Sequence, residues 1–168
     1  MISDSSIKWI ENLAEQEGLI LAGKLPNLDI SRTRDEVLAV STTLFIRDLK
    51  TQWLSLSKLF NSRMKEPSLC ISWGELSDRP DSFFLERNSV RLVISSSRSG
   101  TIQIKCEKPA LDTSSRTSTL FSGVLEARFS NFDEVTWYFL EKPITVEQFS
   151  RYYLTEFLQS SRAFDRLF

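Results

Sequence analysis

A chain of 168 residues with 21 Lys and Arg against 22 Asp and Glu is long enough for one hydrophobic core, and it lacks the basic field by which most nucleic-acid and anionic-membrane binders draw in their partners. It has no histidine and only two cysteines, which excludes Ser-His-Asp and Cys-His catalysis, histidine acid-base chemistry, His-containing metal sites and four-thiolate sites. No apolar run approaches the roughly 20 residues of a membrane span, and the start lacks a basic stretch followed by an apolar one, so a soluble cytoplasmic protein is expected.

In chain order, Ile7, Trp9, Ile10, Leu13 and Ala14 recur near helical spacing over about 4–17, with Ser3 or Asp4 as cap and Gly18 as stop. Leu19 to Ala22 then reads as a brief extended piece before Gly23 and Pro26. From Thr33 to Lys65 there is neither Gly nor Pro, and Leu38, Phe45, Leu49, Trp53, Leu56, Phe60 and Met64 form one stripe. Thr33 and Glu36 make a capping pattern, and a break near Ser41 to Thr43 would shorten a helix of about 30 residues.

Beyond Pro67 the period becomes two. Leu69, Ile71 and Trp73, then Phe83 and Leu85, mark the first strands. Val90, Leu92 and Ile94, followed after Gly100 by Ile102, Ile104 and Cys106, make the clearest hairpin. Lys108 to Thr117 reads as a polar loop. Phe121, Leu125, Ala127 and Phe129, then Val135, Trp137 and Phe139, complete the sheet. Thr145 and Gln148 form a capping box, with Ile144 and Phe149 as hydrophobic staple, opening a last helix over about 145–165. Links too short for crossovers predict an antiparallel sheet. The fold class expected is α+β: one domain over 1–168, in two layers, with a meander of about five strands over about 69–141 packed against two N-terminal helices and one C-terminal helix.

Function is constrained more by what is missing. Arg87 to Lys108 carries five cations against Glu107, and Glu75 to Glu86 carries four carboxylates against Arg79. Neither stretch has the aromatic interleaving of a base-stacking surface or the spacing of a calcium loop. No phosphate loop or serine-nucleophile motif is present, and no cofactor or metal site is expected. The leading expectation is a non-catalytic interaction module, such as an adaptor, assembly chaperone, inhibitor or immunity-type factor. It would meet another protein through the open sheet face or the last helix, with Arg91, Arg98, Lys105, Tyr153, Leu167 and Phe168 at the contact. The alternative is a small-molecule pocket in a curved sheet lined by Trp73, Glu126, Trp137 and Tyr138. Nucleic-acid contact through the basic hairpin 87–108 is third.

Overall fold

The computed structural model describes residues 3–24, 34–78, 81–109, 117–130 and 134–162. The chain divides into two compact units, Met1–Thr33 and Arg34–Phe168. In the first, helix α1 spans Asp4–Leu21, and the Ser3 hydroxyl accepts from the Ser6 N–H. The helix runs through Gly18, where a stop was expected, because Leu19, Ile20 and Leu21 sustain it. Gly23, at φ +69°, supplies the left-handed exit instead.

In the second unit, α2 is one uninterrupted helix, Arg34–Arg63. The expected break near Ser41 to Thr43 does not occur. Thr42 donates its hydroxyl to the Leu38 carbonyl at 2.6 Å and accepts the Gly100 N–H at 2.8 Å, so its side chain is satisfied without displacing a backbone bond of the helix. The capping pattern at Thr33 lies outside the described residues.

Seven strands follow where about five were expected: β1 Ser72–Glu75, β2 Ser82–Arg87, β3 Val90–Arg98, β4 Thr101–Pro109, β5 Thr117–Phe129, β6 Val135–Phe139 and β7 Lys142–Pro143. They form one antiparallel meander in chain order. The strand expected from Leu69 starts only at Ser72, because Pro67–Leu69 forms a 3-10 turn, and β7, two residues long, is too brief to show alternation. Two-residue turns with positive φ at both positions, Asn88-Ser89 and Leu140-Glu141, join β2 to β3 and β6 to β7. Helix α3, Val146–Ser160, starts at the expected capping box, with Thr145 and Gln148 bonded reciprocally at 3.0 and 3.2 Å.

Alternation sends Phe83, Leu85, Leu92, Ile94, Ile102, Ile104 and Leu125 to the face covered by α2 and α3. They pack against Phe45, Leu49 and Trp53 of α2 and Phe149, Tyr153 and Phe157 of α3. Trp53 stacks on Phe149 at 6.1 Å and donates its indole N–H to the Ser150 hydroxyl at 2.8 Å. That bond sets the register of the two helices, and α2 and α3 then run side by side toward their C-terminal ends.

Candidate functional site

The four pocket candidates are not brought together. Trp73 lies on edge strand β1 with the Lys50 ammonium 5.4 Å from its ring centre. Trp137 is in the core, 4.8 Å from Phe45. Glu126 and Tyr138 are cross-strand neighbours on the opposite, exposed face, where Arg128 lies 4.7 Å from the Tyr138 ring centre and 3.6 Å from the Glu126 carboxylate. Arg128 also makes a two-pronged bond to Glu141 at 2.6 and 2.8 Å, which holds that carboxyl below the usual carboxylate range. Simple alternation thus puts Glu126 in solvent.

The partner-contact candidates are also dispersed. Arg91 donates twice to Glu86 and covers the Phe84 ring at 4.3 Å, while Lys105 pairs with Glu107. Arg98 bonds the Thr101 hydroxyl at 3.1 Å. The basic hairpin and the acidic stretch therefore neutralise each other where Arg91 meets Glu86. Tyr153, at 2% exposure, belongs to the core and not to a surface, because its ring fills the space above Gly123. Leu167 and Phe168 lie outside the described residues.

A different place stands out. β6 pairs only with Glu126–Phe129, because the Leu140-Glu141 turn takes the chain away after Phe139. β4 pairs with β5 back to Thr117. Residues 117–124, Thr-Ser-Thr-Leu-Phe-Ser-Gly-Val, therefore have a described strand neighbour on one side only. The backbone N–H and C=O groups that point the other way form a template for a further strand.

The other sheet edges are guarded. β1 is four residues long, and β7 is two residues ending in Pro143. The open stretch of β5 carries neither charge nor proline. Around it stand exposed Leu120, Val124, Leu140 and Tyr152. Beside it is a cavity of about 430 Å³ whose walls include Phe121, Gly123, Phe139, Tyr152 and Tyr153, with Glu156 at the rim.

Gly123 lets Tyr153 pack directly onto the strand beside that cavity. A Cβ at this position would lie 2.0 Å from the Tyr153 hydroxyl, so any side chain would displace the tyrosine. Burial pushes the Tyr153 phenol up, and neighbouring Tyr152 adds to the shift, so it stays neutral at ordinary pH. Glu156 makes no ion pair among the described residues. Of these groups the sequence singled out Phe121 and Phe139 as strand positions and Tyr153 as a contact residue. The available signal was the uncharged run from Thr117 to Leu125.

Among the described residues no cluster of His, Cys, Asp and Glu is able to hold a metal ion. No helix among them is long and apolar enough to cross a membrane. Comparison with protein-family models, curated proteins and solved structures finds no match.

Proposed function

We propose that this protein is an interaction module, of the adaptor, chaperone, inhibitor or immunity type, and that it binds an extended segment of another protein as an eighth strand on the open edge of β5. The observation that carries this reading is a 13-residue strand whose first eight residues are paired on one side only among the described residues. Strand addition draws affinity from main-chain hydrogen bonds and specificity from pockets that take alternate side chains. The cavity lined by Phe121, Phe139 and Tyr152 suits one large apolar or aromatic anchor. Glu156 at its rim favours a lysine or arginine beside that anchor.

The test is selection of displayed random peptides on the folded protein, followed by amide hydrogen exchange of the complex. Selected peptides should carry one bulky apolar residue flanked by a basic one, and they should slow exchange within 117–124. The double variant Val124→Lys, Leu140→Glu changes only exposed side chains. It should keep its melting behaviour and weaken the peptides at least about tenfold. Peptides that bind the double variant equally well, or leave 117–124 unprotected, would overturn the reading. So would protection of that edge by a second copy of the chain in the free protein.

A further inference from the structure

We propose that the groove between the C-terminal halves of α2 and α3 binds a small amphiphilic anion, with an apolar body of one to three rings or a short alkyl chain and an acidic head. This site is separate from the β5 edge. It rests on three observations in one place: an apolar trough of suitable size, a buried hydroxyl with no partner among the described residues, and two nearby arginines that pair with no carboxylate among the described residues.

Near Trp53 and Ser150 the two helices are in contact, and one turn further along they leave a groove of about 410 Å³. Leu56, Leu59, Phe60, Leu154 and Leu158 form its walls, over Ile71. That volume is within the range of small-molecule sites, and the lining is almost wholly apolar. Ser57 is on the same lining, 5% exposed, and its hydroxyl has no hydrogen-bond partner among the described residues. A serine in this part of a helix ordinarily bonds back to a carbonyl, as Ser55 does to Thr51 and Thr51 to Arg47. A buried hydroxyl left open costs roughly 1–3 kcal/mol, which an oxygen or nitrogen of a bound molecule would recover.

The charge at the far end defines the head group. Arg63 lines the groove and pairs with no carboxylate among the described residues. Arg87, at the end of β2, packs against the outside of this wall. Its guanidinium is 5.4 Å from the Phe60 ring centre, and it donates to the Leu69 carbonyl, the Leu158 carbonyl and the Ser161 hydroxyl. Its second terminal nitrogen has no acceptor among the described residues. Burial is the main influence on Arg87, and the next is the like charge of Arg162. Glu66, the carboxylate nearest to Arg63 in sequence, sits at the start of the short Pro67–Leu69 turn and pairs with neither Arg63 nor Arg87, and Glu86, next to Arg87, is paired with Arg91. Arg63 on the lining, with Arg87 packed against two of its wall residues, Phe60 and Leu158, favours a carboxylate, sulfonate or phosphate over a neutral or cationic head.

The probe is anilinonaphthalene sulfonate, which combines fused apolar rings, an N–H and a sulfonate, titrated into the full chain and followed by fluorescence. One saturable site is expected. Arg63→Glu, at an exposed position, should leave the melting curve unchanged and weaken binding at least about tenfold. Leu158→Trp, which fills the groove, should abolish the site, and Tyr152→Asp, on the β5 side, should leave it intact. Neutral phenyl naphthylamine should bind about tenfold more weakly than the sulfonate. Unsaturable binding, or binding indifferent to Arg63→Glu, would overturn the proposal whether or not Leu158→Trp folds. Equal affinity for the neutral probe would overturn its anionic part.

Discussion

At the scale of single residues, the contact between Gly123 and Tyr153 couples stability to the candidate site. A Cβ at 123 would meet the Tyr153 Oη at 2.0 Å and Cζ at 3.1 Å. Gly123→Ala is therefore expected to cost about 1–3 kcal/mol through overpacking. Tyr153→Phe removes the closer clash, so in its background the glycine substitution should be milder by at least about 0.5 kcal/mol, which urea unfolding of the double-mutant cycle would measure. If the two substitutions were additive, the tyrosine would not be what keeps residue 123 bare. Ser150→Ala tests the other buried polar contact. It leaves the Trp53 indole N–H without its acceptor and should cost about 1–3 kcal/mol by the same measurement. Neither relation was legible in the sequence, since residues 123 and 153 meet only through the packing of α3 on β5. Glu126 was legible, because period-two alternation alone places it opposite buried Leu125.

At the scale of elements, periodicity carried most of what could be read. The 87–108 hairpin, the capping box of α3 and the apolar stripe of α2 all rest on local spacing, and local spacing survives folding, whereas the break expected near Ser41 to Thr43 does not occur. The open edge of β5 has another origin. It depends on where β6 stops, and β6 stops at a turn made by Leu140 and Glu141, two residues that carry no turn signal yet adopt positive φ. The α2 stripe shows the same limit. Phe45, Leu49 and Trp53 are buried, but Leu56 and Phe60 continue the stripe beyond the core and become a groove wall. Spacing cannot distinguish an apolar face that meets a neighbouring helix from one that runs past it.

At the scale of the whole molecule, one side of the sheet holds the core, and the ionisable groups built into it all disfavour alkaline conditions. The Cys106 thiol, fully buried on β4, is pushed from its ordinary value of 9.0 up to about 12, first by burial and then by the Glu107 charge. Tyr153 is shifted in the same direction. Both are acids whose charged form the fold resists. The native state therefore holds protons that the unfolded chain has already released, and stability must fall as pH rises through that interval. The sign follows directly. Below pH 9 both states keep the thiol proton and its contribution is intact; between 9 and about 12 it is progressively lost. Urea midpoints measured across that range should decline, and Cys106→Ala should flatten the part of the decline that belongs to the thiol, although the cavity it leaves lowers the midpoint at every pH. Thiol labelling at pH 8 gives the matching kinetic result. Cys70, partly exposed, should react while Cys106 stays protected until the chain unfolds. Fast labelling of both cysteines in the native state would mean that the sheet opens at β4, and the alkaline decline would then have to come from that opening instead of from proton release.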